Sequence, residues 1–193
     1  MKNFIEFYNK ISTEEYKRIL VLGPGSSIYN GDNHFIDIDY VDNLDIDLEL
    51  NDCNRYFKSD IFDYLRKTVN RYDYVWSDRA FEHIEMDQIY YLFHSIQYVL
   101  KENGQLIFSV PDFDHVSQFL SNIDTNDKSW YINYLKGTME ILSDKYDPHR
   151  SIWTKNIGKE LIEGECYFKL NKIDDGIVMD NKSWYMRFFC DKI

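Results

Sequence analysis

Four stretches of this chain carry side chains that could hold or transform a small molecule, and each follows a run with strand character. The first is Gly23-Pro24-Gly25-Ser26-Ser27, after Arg18-Ile19-Leu20-Val21-Leu22. Glycines let a backbone pass close to a ligand, and in open α/β sheets ligands lie beyond the carboxyl ends of the strands. The loop has serine where a dinucleotide-binding loop has its third glycine, and Phe35 follows Gly25 too closely for a full crossover helix. Both features disfavour a pyrophosphate ligand, which needs a well-formed helix N-terminus. The second stretch, Asp37-Ile38-Asp39, ends the run from His34. An acid there can accept two hydrogen bonds from vicinal ribose hydroxyls. Asp37 and Asp39 share a face by strand periodicity, and Asp39 lies nearer the strand end. The third, Ser59-Asp60-Ile61-Phe62, offers a carboxylate for an adenine amino group and a backbone N–H for a ring nitrogen. Asp45-Ile46-Asp47 is a competing registration, which leaves Asp47 as the alternative to Asp60. The fourth is Ser77-Asp78-Arg79-Ala80-Phe81-Glu82-His83-Ile84. Histidine is the residue type suited to act as a base near neutral pH, which makes His83 a candidate, although Glu82-His83 could equally anchor the following helix.

The elements that must position these groups follow from hydrophobic periodicity. Strands are expected over 18–22, 34–39, 55–60, 72–77 and 105–110, the last stopped by Pro111. Helices are expected over 61–68 and 87–100. In the latter, Ile89, Leu92, Phe93, Ile96, Val99 and Leu100 form one stripe, with Gly104 at the C-terminal stop. Alternating strands and helices imply a parallel sheet with right-handed crossovers. Further helices are expected over 4–10, 13–18, 114–120, 128–142 and 153–163, with Thr154 a possible cap for the last. Two β-rich runs, 166–173 and 184–190, are joined by Asp174-Asp175-Gly176 and further loop residues. They suggest an antiparallel pair closing one sheet edge. Each proline (Pro24, Pro111, Pro148) falls where one element ends and another begins.

Bulk properties narrow the function. The 193 residues suffice for a single domain with a buried core, and an aromatic share of 17% argues against disorder. The expected division is an N-terminal helical segment (1–18), a ligand-binding half (19–112) and an acceptor side with closing strands (113–193). The net charge of −11 repels a phosphate backbone, so duplex nucleic acid is disfavoured as a partner. The chain shows neither an apolar run near the ~18 residues of a membrane helix nor a signal-peptide pattern at its start. Cys53, Cys166 and Cys190 are odd in number and lack CxxC pairing, so they read as reduced thiols of a cytoplasmic protein, and no metal site is expected on them.

Taken in order, Leu22-Gly23-Pro24-Gly25-Ser26, Ile38-Asp39, Asp60-Ile61, Tyr72-Asp73-Tyr74-Val75, Phe81-Glu82-His83-Ile84 and Leu100-Lys101-Glu102-Asn103-Gly104-Gln105-Leu106-Ile107-Phe108-Ser109-Val110-Pro111-Asp112 resemble the class I S-adenosylmethionine-dependent methyltransferases. The short link after the glycine loop resembles a small subgroup found in glycan-modification clusters and in phages. The resemblance implies an α/β, Rossmann-like, doubly wound and mostly parallel seven-stranded sheet with an antiparallel C-terminal strand. It also implies S-adenosyl-L-methionine as cofactor. Gly23, Pro24, Gly25 and Ser26 would lie along its methionine moiety, Asp39 on the ribose, and Asp60 with Ile61 on the adenine. Ser77 and Asp78 would flank it and open into the acceptor site. One position departs from the family: the acid expected two residues before the first glycine is Val21.

Methyl transfer from a sulfonium requires positioning of the acceptor and, for an oxygen or nitrogen nucleophile, a place for its proton. Asp78, His83 and His149 are the candidate catalytic groups. His149 belongs to Tyr146-Asp147-Pro148-His149-Arg150-Ser151-Ile152-Trp153, a loop stiffened by Pro148. Arg79, His149 and Arg150 are candidate acceptor-binding groups, arginine being suited to carboxylate or phosphate. Trp130, Tyr131 and Tyr134 could face either the core or the acceptor. The function expected is methylation of a small-molecule or glycan acceptor. The competing reading is a cofactor-binding but catalytically degenerate interaction module, suggested by Val21. A nicotinamide or nucleotide-sugar enzyme is disfavoured by the glycine loop.

Overall fold

A computed structural model describes residues 17–23, 41–45, 56–122, 149–164, 167–179 and 183–193. The strands are β1 (Ile19–Leu22), β2 (Val41–Asp45), β3 (Tyr56–Lys58), β4 (Tyr72–Asp78), β5 (Leu100–Pro111), β6 (Phe168–Met179) and β7 (Ser183–Lys192). The helices are α1 (Ile61–Leu65), α2 (Ile89–Val99), α3 (Phe113–Asn122) and α4 (Lys155–Gly164). One mixed sheet runs in the order β3-β2-β1-β4-β5-β7-β6. The first five of these are parallel, and β7 is antiparallel to both β5 and β6. Among the described residues, no helix is long and apolar enough to cross a membrane.

The sheet is built outward from β1, whose four residues are all buried because strands flank it on both sides. A continuous apolar run is what such a strand requires. Register then fixes what shares a face. Leu22 lies beside Ser77, Ser77 beside Phe108, and Phe108 beside Phe188. On this face Phe108 stacks between Phe81 at 4.7 Å and Phe188 at 4.9 Å, while Trp153 meets it edge-on at 5.5 Å. The stripe of α2, with Leu92, Phe93, Ile96 and Val99 buried, belongs to the same cluster. Helix α4 approaches so closely that a Cβ on Gly158 would sit 2.3 Å from the Phe188 ring.

One residue further along, the opposite face carries Asp78, Ser109, Arg187 and Asp174, paired in sequence across β4, β5, β7 and β6. Arg187 Nε donates to Ser109 Oγ at 2.8 Å, and Nη2 lies 3.8 Å from Asp78 Oδ1. The guanidinium sits 4.9 Å from the Trp76 ring centroid, so one buried arginine ties β4, β5 and β7 together.

Several boundaries differ from expectation. The strand beside β1 is Val41–Asp45 rather than 34–39, which lies outside the described residues. Helix α2 is entered through a 3-10 turn, Met86–Gln88, and stops at Val99, where Leu100 is already extended. The left-handed residue after it is Asn103 (φ 60), so Gly104 does not act as the stop; asparagine tolerates that conformation better than most side chains. Asp174-Asp175-Gly176 is not a loop. Strand β6 continues through it to Met179, with a register shift between Asp174 and Ile177. The extra residues form a bulge, which bends the strand without ending it. Thr154 does cap α4, its Oγ1 accepting from Ile157 N at 3.1 Å. The expected helix over 128–142, with Trp130, Tyr131 and Tyr134, lies outside the described residues, as do Cys53 and Cys166. Cys190 is a buried free thiol whose pKa burial pushes up.

Candidate active site

The strand order reverses direction between β1 and β4, and the crevice beyond their carboxyl ends is the place where this architecture receives ligands. Gly23 leaves β1 with φ +60, and a Cβ added to it would lie 2.6 Å from Ala80 Cβ. The glycine loop therefore starts in direct contact with the turn that follows β4. That turn opens with Arg79 at φ 64, a left-handed residue that is not glycine. Such conformations persist only where the surroundings hold them. Here Arg79 N donates to Ser109 O at 3.2 Å, and its guanidinium lies 6.0 Å from the Tyr185 ring centroid. The chain then forms a 3-10 turn, Phe81–His83.

The loop carrying His149 is stitched onto this turn. Arg150 N and Ser151 N donate to Glu82 O at 2.7 and 3.1 Å. Ser151 Oγ donates to Phe81 O at 3.1 Å and accepts from Trp153 Nε1 at 2.9 Å. These bonds bring His149 against His83, the imidazoles meeting edge-to-face with centroids 4.8 Å apart. His149 Nε2 is 3.9 Å from Glu82 Oε1, and the Glu82 carboxylate is buried at 1% exposure. Tyr185, from β7, closes the site. Burial first, then the Glu82 charge, pushes its phenol up to about 12, so it remains a proton donor at neutral pH.

Burial, followed by the positive form of His83, pushes His149 down from 6.5 to about 4. Between those values the unfolded chain takes up a proton that the folded chain refuses, so acid favours unfolding. The contribution is intact above about pH 6.5 and lost as pH falls towards about 4. Solvent screening discounts it to about 1–2 kcal/mol. Denaturant unfolding in chelator-containing buffer, from about pH 7 to about pH 4.5, should show this loss. In His149→Asn it should vanish; an identical acid slope in the variant would refute the assignment.

The sequence candidates fall into three groups. His83, Asp78, Arg79 and His149 come together where the carboxyl ends of β4 and β5 meet the amino end of the antiparallel β7, with Gly23 adjoining through Ala80. Asp60 and Ile61 lie at the end of β3. Asp60 Oδ1 caps α1 by accepting from Phe62 N and Asp63 N at 2.9 and 3.2 Å, and Ile61 begins the helix. Ser77 is fully buried on the Phe108 face of the sheet. Arg150 points outward and pairs with Glu85 at 3.1 Å. Pro24, Gly25, Ser26, Asp37, Asp39 and Asp47 lie outside the described residues. Sequence reasoning missed Tyr185 and Arg187. Their two-residue spacing puts them on one face, but nothing local says that β7 inserts beside β5.

No family model matches the chain, and no curated protein does. Solved structures are similar over nearly all of it. An S-adenosylmethionine-dependent methyltransferase from Methanosarcina mazei superposes with TM-score 0.62 at 13% identity, covering 98% of this chain and 97% of the other. One from Archaeoglobus fulgidus gives TM-score 0.58 at 11% identity, covering 100% and 95%. One from Mesorhizobium loti gives 0.60 at 15%, covering 92% and 91%. The chain has the S-adenosylmethionine-dependent methyltransferase fold. In this chain the reversal between β1 and β4 and the antiparallel insertion of β7 beside β5 belong to one sheet, and Glu82 lies in the turn beyond the carboxyl end of β4.

Proposed function

We propose that the chain binds S-adenosyl-L-methionine and transfers its methyl group to an oxygen or nitrogen nucleophile on a small-molecule or glycan acceptor. The supporting observation is the contact of Gly23 with Ala80, which sets the end of β1 against the turn that follows Asp78 and carries His83, onto which the His149 loop is stitched. When bound, the cofactor supplies a methyl group already activated on a sulfonium. The chain's residues fit it at three places. Gly23 leaves β1 at φ +60 and opens the stretch Gly23-Pro24-Gly25-Ser26, which the sequence motif assigns to the methionine moiety. Asp60 is exposed and has a second carboxylate oxygen for the adenine amino group beyond the one capping α1. The ribose takes a strand-end acid, for which Asp39 is the choice of the sequence motif and Asp45 the residue that ends β2.

Asp78, Arg79 and Tyr185 bound the acceptor side, and His83 and His149 are the candidate groups for taking an acceptor proton. The transfer needs the acceptor in line behind the methyl group, and the stitched loop sets that geometry rather than any covalent intermediate. Isothermal titration with S-adenosylmethionine and S-adenosylhomocysteine tests the reading. Saturable binding is expected, weakened about tenfold or more by loss of the ribose acid. Comparing Asp39→Ala with Asp45→Ala assigns that acid. Absence of binding at millimolar cofactor would overturn the proposal.

A second reading has one observation in its favour. Val21, where the family has an acid for the cofactor's ammonium group, is buried in β1 between Asn43 and Trp76. Binding without label transfer to any component of a host extract would favour a cofactor-binding interaction module.

A further inference from the structure

We propose that Glu82, His83 and His149 form a binding site for a divalent transition-metal ion of the zinc type. The proposal rests on the reading of this end of the sheet as the acceptor side and says how an oxygen acceptor is held there. One donor atom from each residue lies within 4.8 Å of the other two. A four-coordinate ion with bonds of about 2.0–2.1 Å needs donors about 3.3–3.5 Å apart. The ion would draw the donors together by side-chain rotation, from 3.9 Å between His149 Nε2 and Glu82 Oε1 and from at most 4.8 Å within the cluster. Two imidazoles and one carboxylate are the protein ligands of a catalytic zinc site, which keeps one position open.

Three features suit the cluster to an ion. The Glu82 carboxylate is buried, and a charge taken out of water is stabilised most by an adjacent cation. The main chain around the ligands is fixed: Glu82 O accepts from both Arg150 N and Ser151 N, so residues distant in sequence are held in one rigid unit. The third is the neighbourhood: Tyr185 feels the charges of Glu82, Arg79 and Asp78 together, so an acceptor held at the open position has polar neighbours. A hydroxyl bound there loses its proton more readily, because the ion stabilises the alkoxide. With the ion present, His83 and His149 act by coordination, and the proton leaves the metal-held oxygen for water. Sequence alone shows none of this. The ligands come from segments on either side of β5 in the sequence, and no local spacing pattern joins them.

The test uses the full chain, stripped with EDTA and dialysed. Co²⁺ serves as the spectroscopic probe, and Zn²⁺ binding is measured by elemental analysis and titration calorimetry. One equivalent is expected, with ligand-field bands of a low-coordinate cobalt site. Glu82→Gln, His83→Asn and His149→Asn should each weaken it by at least the 10–100-fold that loss of a mere outer-shell partner costs. His94→Asn, on α2 away from the cluster, should leave it unchanged. Circular dichroism identifies any variant that fails to fold, and His149→Asn, which replaces a half-buried side chain outside the helices and strands, keeps the test decisive if Glu82→Gln unfolds. Absence of stoichiometric metal on the wild type overturns the site, as does binding that survives all three substitutions. S-adenosylhomocysteine is titrated in parallel: binding without metal overturns the ion alone, whereas loss of both overturns the methyltransferase reading as well.

Discussion

Trp153→Ala is expected to cost about 3–5 kcal/mol of stability and to release the loop that carries His149. The indole is almost fully buried, packs 5.5 Å from Phe108 and 6.3 Å from Phe188, and donates to Ser151 Oγ at 2.9 Å. Ser151 in turn bonds Phe81 O. Truncation thus opens a large cavity and removes the bond that orients Ser151. A melting temperature lower by roughly 10 °C follows for a domain of this size. Trp153→Phe separates the two effects. It keeps most of the buried area and loses about 1 kcal/mol with the hydrogen bond. Denaturant unfolding of both variants is the measurement. A loss under about 1 kcal/mol for Trp153→Ala would mean that the loop is held by its backbone bonds to Glu82 alone.

Gly23→Ala is the second large effect. A side chain at φ +60 costs about 1–2 kcal/mol. The new Cβ also meets Ala80 Cβ at 2.6 Å, an overlap worth about 1–3 kcal/mol. The two costs can be separated. Ala80→Gly removes the overlap and leaves the backbone cost, so the double variant should recover only the second part. Cofactor affinity should follow the same pattern, because shifting the loop start moves every atom after it. A double variant no more stable than Gly23→Ala would show that the contact with Ala80 is not what excludes a side chain here. Close approach of a ligand to the loop would then be the remaining cause.

The glycine at position 23 illustrates how far sequence carries. A glycine after a buried strand is legible, and so is its use for close backbone approach. That the close partner includes Ala80 is a fact of parallel pairing between β1 and β4, which are separated in sequence by two other strands. The stripe of α2 and the strand character of β4 and β5 were equally plain, since each is a local periodicity that burial on one face enforces. Where local signals compete, chain path decides. The sequence points to a strand over 34–39, yet the partner of β1 on this side is Val41–Asp45, a run whose Asp and Asn content hides it from local propensity. Asp175 and Gly176 look like a turn, yet the ladder with β7 absorbs them as a bulge.

The sequence by itself determined the stretches that follow β1, β3 and β4, the helix stripe, the antiparallel closure and the residue types available at the site. Only the tertiary structure decided that Glu82 and His83 meet His149, that Ser151 and Trp153 lock that meeting in place, and that Tyr185 and Arg187 line up beside them. The reason is physical. Secondary structure answers to periodicities a few residues long, whereas the partners of a buried polar group are chosen by the chain's path across the sheet, and nothing in a local window encodes that path.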